Sequence, residues 1–206
     1  VVIPAHNEAD NIAAVVTACR CARGAGEVIV VANGCTDDTA NVAAGAGALV
    51  LPVTEADKGS ALVHGLHYVN TERVLFCDAD LQGLTVEHVY LMFTLPPLDG
   101  QLCGLVDTPA VGLTKYMPPI TGQRRLPTDL ARTLPLAGSG YETELRIDAA
   151  LGKRGTPHRT AVLVGVTNPT NAAASPWRFA RMVGSVAAAS VYLAPELAMY
   201  ERHGLG

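Results

Sequence analysis

Four short apolar runs, at residues 1–4, 27–31, 48–53 and 74–77, each end in a polar cluster, and each is followed by a helix-patterned segment, at 11–23, to about 45, at 58–69 and at 85–95. Short runs with apolar residues in succession are the pattern of strands covered on both faces. Strands that alternate with helices at this interval build parallel β-α units, so the expected fold is α/β: a mostly parallel central sheet with helices on both faces. Ligands of such sheets bind at the carboxyl ends of the strands. Further along, the pattern predicts a strand at 102–106 ending at Asp107, then a proline-spaced, aperiodic segment at 108–135. A helix at 142–151, a strand at 161–166 and an Ala- and Val-rich helix at 176–193 follow. Long irregular insertions such as 108–135 usually carry function or are mobile.

The predicted strand ends concentrate the chemistry. His6-Asn7-Glu8, the stretch from Asn33 to Asp37, and the stretch from Asp78 to Gln82 each directly follow a strand, and the topology gathers them along one edge. Asp78 and Asp80 fall on one side of an extended backbone. Their hard oxygens suit a Mg2+ or Mn2+ that also holds phosphate, and Gln82 can add a third oxygen. The competing reading is that Asp78-Ala79-Asp80 caps the helix beginning at Thr85, because acids are favoured at helix N-termini. Position after a buried strand, in line with Glu8, Asn33, Asp37 and Lys58, favours the metal. Lys58-Gly59 opens a helix where backbone N–H groups and a lysine can face a phosphate, the alternative being a solvated surface charge. Gly45-Ala46-Gly47 lies between a helix and a strand, the reverse of the dinucleotide-binding order, and reads as a helix C-cap.

A chain of 206 residues fits one domain with a sizeable core. Its net charge of −4 argues against a nucleic-acid binder, which needs a basic face. No apolar run is long enough to span a bilayer. Phe179, Val183, Val186 and Val191 form the apolar side of the 176–193 helix, which suits the sheet or a second subunit, so a homodimer is admitted. The only basic residues beside them are Arg178 and Arg181, which leaves room for membrane contact without spanning. Five cysteines, an odd number in apolar or helical surroundings, argue against a disulfide framework and for the reducing cytoplasm. Cys19 and Cys21 read as packing residues rather than a zinc site. The chain opens directly in a strand with no basic leader, which suggests that a short leader or the start of the protein lies outside this sequence.

Four motifs, in this order, resemble family-two glycosyltransferases of the GT-A fold: Val2-Ile3-Pro4-Ala5-His6-Asn7-Glu8, Asn33-Gly34-Cys35-Thr36-Asp37-Asp38-Thr39, Lys58-Gly59 and Cys77-Asp78-Ala79-Asp80-Leu81-Gln82. In the second half, Thr121-Gly122-Gln123-Arg124 and Gly138-Ser139-Gly140-Tyr141-Glu142 look like acceptor-side motifs of bacterial members. Those members are related to polyprenyl-phosphate sugar synthases and glucosyl-3-phosphoglycerate synthases.

The resemblance implies one GT-A (Rossmann-like) domain over 1–206, with a nucleotide-sugar half at 1–107 and an acceptor half at 108–206. It implies a UDP-sugar donor first and GDP-mannose second, Mg2+ or Mn2+, and a small-molecule or lipid-phosphate acceptor. The setting it implies is cytoplasmic, with room for a place at the inner face of the membrane. Carried over by residue, Pro4, Ala5 and Glu8 line base and ribose, and Asn33 and Asp37 sit near the base. Lys58 lies near base or diphosphate, and Asp78-Ala79-Asp80 faces the donor, with Asp78 and Asp80 on the metal and Gln82 assisting. Gln123 and Arg124 hold donor diphosphate or acceptor phosphate, whereas Arg125 reads as solvated. Glu142 takes the family's Gly-Tyr-Gly-x-Glu position as the base, against a helix-capping role, and Asp107 is the alternative base.

Many relatives carry two acids where this chain has Ala32-Asn33, and a neutral amide both donates and accepts, which leaves the base open. His158 reads as a surface or strand-edge imidazole. The loop at 166–171, where a late metal histidine would fall, contains none. Inversion is usual in the family, while the likeness to glucosyl-3-phosphoglycerate synthases leaves retention open. Two other readings remain. A nucleotidyltransferase would need a glycine-rich basic loop after the first strand, which Ala5-His6-Asn7-Glu8 is not. A catalytically inactive nucleotide-binding module would fit a decayed site.

Overall fold

The computed structural model describes residues 1–107 and 121–168. Seven strands form one sheet: β1 (Val2–Ala5), β2 (Ile29–Asn33), β3 (Leu49–Val53), β4 (Arg73–Phe76), β5 (Gln101–Val106), β6 (Gln123–Pro127) and β7 (His158–Leu163), in the order β3-β2-β1-β4-β6-β5-β7. Strand β6 runs antiparallel to both neighbours, so the other six point the same way. Their carboxyl ends therefore share one edge, and the mostly parallel α/β sheet expected from the alternation is present. The in-register pairs Ala5↔Ala32 and Asn33↔Val53 bring the ends of the first three strands level.

Alternation along each strand divides the core between the two faces, as the pleat requires. Ile3, Val30 and Leu75 pack with Ile12, Val15, Val16 and Cys19 of α1 (Ile12–Cys21) and with Val89 and Met92 of α4 (Val86–Thr94). Val2, Ile29, Val31, Val74 and Phe76 face the other way. They meet Leu62 and Leu66 of α3 (Lys58–Leu66), Ala131 of α5 (Thr128–Arg132), and Ile147 and Leu151 of α6 (Thr143–Lys153). Each fully buried Leu, Ile or Phe contributes about 1.5–3 kcal/mol relative to exposure, so these two layers hold the strand ends in place. Helix α2 (Thr39–Gly45) links β2 to β3. A Thr85–His88 capping box starts α4, so that cap needs neither Asp78 nor Asp80.

The segment expected to be aperiodic contains β6 and α5. Gln123, Arg124 and Arg125 are all buried there, because β6 is clamped between β4 and β5. Arg125 is not solvated: its guanidinium donates to Met92 O at 3.2 Å and Leu95 O at 2.7 Å, at the carboxyl end of α4, where a cation is favoured. The late strand begins three residues earlier than expected, at His158, because it pairs along the full length of β5. The 176–193 helix, with Phe179, Val183, Val186 and Val191, lies outside the described residues. No helix among the described residues is long and apolar enough to cross a membrane.

Candidate functional site

The loops after β1 and β2 interlock. His6 Nδ1 lies 2.7 Å from Asn33 O, and Asn7, in the left-handed region at φ 58°, accepts from Thr36 N at 2.8 Å. Glu8 N donates to Thr39 Oγ1 at 2.8 Å, and Ala9 N to Asp37 Oδ2 at 3.1 Å. Slight burial opposes ionisation of Asp37, but hydrogen bonds from Thr39 and Ala9 outweigh it and hold the carboxyl below its usual range. Asp37 thus ties the first loop to the second. Asn33 is buried at the end of β2, and its Oδ1 has no hydrogen-bond partner among the described residues. A buried orphan acceptor is costly in a folded protein and needs an explanation.

Lys58 occupies the centre. Its ammonium donates to Asp78 Oδ1 at 2.7 Å and to Glu144 Oε1 at 2.5 Å. Burial works against its charge, but the two carboxylates dominate and raise its pKa. The other oxygen of Asp78 accepts from Gln123 Nε2 at 2.8 Å, so both of its oxygens are engaged by protein donors. Gly122 packs against the same carboxylate, where any Cβ would overlap it. Asp80 differs: burial first, then the charges of Asp78 and Glu8, push its carboxyl up to about 7. Across the crevice, Gln82 and Thr167 exchange two backbone hydrogen bonds of 2.9 Å, which bring Asn168 beside Asp80. In the amide orientation that satisfies both groups, Asn168 donates to Asp80 Oδ2 at 2.5 Å and Oδ1 at 3.0 Å. The Gln82 side chain itself is exposed.

No group of three or more His, Cys, Asp or Glu among the described residues forms a metal cage. The donors present still fit a Mg2+ or Mn2+ held jointly with a ligand: the Asp80 carboxylate is a hard oxygen group, the Asn168 amide turned end for end would bring a second oxygen beside it, and such ions keep several positions for phosphate and water. Charge points the same way. Asp78 and Glu144 pair directly with Lys58, and Asp80 feels the charges of Asp78, Glu8 and Lys58.

The remaining expectations divide. Pro4 and Ala5 end β1 beside the crevice. Arg124 is withdrawn from it: fully buried, it is paired through both terminal nitrogens with Asp148 and accepts no role at the open edge. Strand β6 aims its side chain at α6, a placement set by pairing between distant strands. Glu142 stands at the N-cap position of α6 without a side-chain capping hydrogen bond and pairs with Arg146 Nη2 at 3.1 Å, whereas Glu144, two residues on, faces Lys58. A signal for Glu144 existed, since Gly-Tyr-x-x-Glu counted from Gly140 ends on it. Asp107 is exposed at the end of β5, and its Oδ2 accepts from Gly165 N at 2.9 Å. The sequence pointed to the 166–171 loop only as the place of a late metal histidine; the residue that this loop brings to Asp80 is Asn168. A cavity of about 540 Å³ lies at the opposite edge between Val1, Arg73, Tyr68 and Tyr90. It holds none of these groups, and the carboxyl-end crevice is the better candidate on chemistry.

Comparisons with known proteins agree with the fold. Residues 1–93 match the family model described as Glycosyl transferase family 2. The chain is 32% identical over 121 residues to a 4,4'-diaponeurosporenoate glycosyltransferase of Staphylococcus aureus strain bovine RF122 / ET3-1, covering 56% of this chain and 32% of that one. The chain thus spans about a third of the length of the curated relatives it matches. Among solved structures, glucosyl-3-phosphoglycerate synthase from Mycobacterium tuberculosis in complex with Mn2+, UDP and glucosyl-3-phosphoglycerate superposes with a TM-score of 0.78 at 21% identity, covering 93% of this chain and 78% of that one. A mycobacterial protein gives the same TM-score at 22% identity, over 93% of this chain and 73% of its own. At these identities the structural likeness shows the fold.

Proposed function

We propose that this chain, whose residues 1–93 belong to glycosyl transferase family 2, moves a sugar from a nucleoside-diphosphate sugar to an acceptor oxygen with the help of a divalent metal. The observation that carries this reading is the crevice pairing of Lys58 with Asp78, next to an Asp80 whose ionisation is opposed by burial and by the charges of Asp78 and Glu8. A UDP-sugar is the first donor and GDP-mannose the second. The UDP and Mn2+ held by the structurally similar mycobacterial synthase support that order. Small molecules and lipid phosphates are the acceptor classes.

In the reaction the bond between sugar C1 and the diphosphate oxygen breaks, its electron pair leaving with the diphosphate, and the acceptor oxygen bonds to C1. Lys58 opposes the charge that builds on the leaving group. Asp78, fixed by Lys58 and Gln123, orients that lysine and the sugar side of the site. Asp80 and Asn168 would hold the metal, which neutralises diphosphate charge as a Lewis acid. Asn33 and Glu8 receive base and ribose. Asp107, exposed at the strand end, is our candidate for the base that would take a proton from a hydroxyl acceptor. Glu142 is committed to Arg146, and Glu144 to Lys58.

Thermal unfolding with UDP, GDP, ADP and CDP, each with and without Mn2+, tests the reading, because a ligand of the native state raises apparent stability. A metal-dependent upward shift followed by UDP release from a UDP-sugar is expected. The absence of any shift with every diphosphate, with or without Mn2+, would sink it.

A further inference from the structure

Asp57, which no motif singled out, joins the two halves of the site. It is the N-cap of α3, where its Oδ1 accepts from Ser60 N at 2.6 Å. The same oxygen accepts from Gly138 N at 3.2 Å, and Oδ2 accepts from Gly140 N at 2.8 Å, across more than eighty positions of sequence. Ser60 Oγ adds a second acceptor for Gly138 N at 3.3 Å. Both glycines adopt left-handed φ, 66° and 48°, which turns their N–H groups toward the carboxylate. The approach is close: a Cβ on Gly59 would overlap Leu136 O and Ser139 Oγ. Burial opposes ionisation of Asp57, but the hydrogen bonds from Ser60, Gly140 and Gly138 prevail and keep its pKa below the usual value.

We infer that Asp57 is a positioning residue: it fixes the 138–142 turn against the first turn of α3, so that Glu144 is presented to Lys58 and the acceptor-side loop is registered with the donor lysine. The helix cap alone does not require this arrangement, since one oxygen suffices for Ser60 N. The second oxygen and the two glycine donors serve the connection between segments. Gly140 leads through a 3-10 turn, Gly140–Glu142, straight into α6, so the short stretch from Gly140 to Glu144 carries the constraint to the carboxylate that Lys58 meets. The catalytic significance of this inference rests on the glycosyl-transfer reading, whereas the constraint itself does not.

Asp57→Ser separates the two roles, because serine caps a helix with one short oxygen but cannot reach two further N–H groups. Amide hydrogen exchange and UDP binding with Mn2+ are measured on the full chain, together with UDP release from UDP-glucose supplied with 3-phosphoglycerate. In the variant, amides of 138–144 are expected to exchange about ten-fold faster while those of α3 stay within about two-fold. UDP affinity is expected to stay within about three-fold and turnover to fall about ten-fold in kcat, the split of a misplaced group rather than a lost donor contact. Asp57→Asn, which keeps one acceptor and the side-chain size, should recover part of the turnover. Unchanged exchange at 138–144 overturns the inference, as does equal loosening of α3 and the loop with a parallel loss of UDP affinity. If the loop loosens as expected but no nucleoside diphosphate binds the unaltered protein, the positioning role of Asp57 stands and the glycosyl-transfer reading fails.

Discussion

Lys58 Nζ lies 2.5 Å from Glu144 Oε1, joining the start of α3 to the first turn of α6. The same ammonium holds Asp78, so one lysine stabilises two carboxylates that would otherwise repel each other in a partly buried site. Lys58→Met is expected to lower stability by roughly 2–4 kcal/mol, because it leaves both acids without their cation. Glu144→Gln should cost less, about 1 kcal/mol, since Asp78 still pairs with the lysine. Urea unfolding of the two variants checks the ordering, and a Lys58→Met protein as stable as the Glu144→Gln one contradicts it.

Asp80 gives the pH dependence. Its folded-state carboxyl is raised to about 7 from an ordinary 3.8, so between these values the folded state binds the extra proton. Without metal, stability should therefore fall as pH rises from about 4 to 7. Asp80→Asn should remove the slope and raise stability at pH 7 by roughly 1–3 kcal/mol, discounted from ~1.4 kcal/mol per unit because the group is partly exposed. Mn2+ should raise the melting temperature of the unaltered protein more at pH 8 than at pH 5, and that of Asp80→Asn at neither pH. A flat pH profile from both proteins would refute this account.

Arg124 and Asp148 test whether β6 contributes to stability rather than phosphate binding. Burial pushes the Asp148 carboxyl up and the guanidinium pulls it back, while Gln101 Oε1 accepts from Arg124 at 3.0 Å. Arg124→Met should cost about 3–5 kcal/mol by leaving a buried acid unpaired, and adding Asp148→Leu should restore much of it. Diphosphate affinity of the double variant is expected to match that of the parent. Loss of UDP binding with stability intact would return Arg124 to the ligand.

Asn33 bears on the base. Its buried, unpartnered Oδ1 needs a ligand N–H, so Asn33→Leu should weaken UDP binding by about ten-fold, the cost of one hydrogen bond of ~1.4 kcal/mol, and narrow the preference between UDP and CDP. Calorimetry with both diphosphates, each with Mn2+, measures it. Equal affinities of the variant and the parent for UDP would remove Asn33 from the base site.

The strands of the first half were readable because each is a short apolar run followed by a helix-patterned segment, and α3 and α4 begin at side-chain caps. That local pattern also located Glu8, Asn33, Lys58, Asp78 and Asp80 at strand ends. Strand β6 was not readable, since Gln123-Arg124-Arg125 looks polar until β4 and β5 enclose it and Asp148, Met92 and Leu95 supply partners. The choice of Glu144 over Glu142 depended on helical phase, which a two-residue offset reverses. The sequence by itself determined an α/β sheet with an acidic, phosphate-suited edge, because hydrophobic periodicity and strand ends are local properties. Only the tertiary structure decided that Asp78 is engaged by Lys58 and Gln123, that Asn168 meets Asp80 and that Asp57 binds Gly138 and Gly140. Each of these contacts joins residues far apart in the chain, and only the packing of the sheet against α3 and α6 brings them within hydrogen-bond reach.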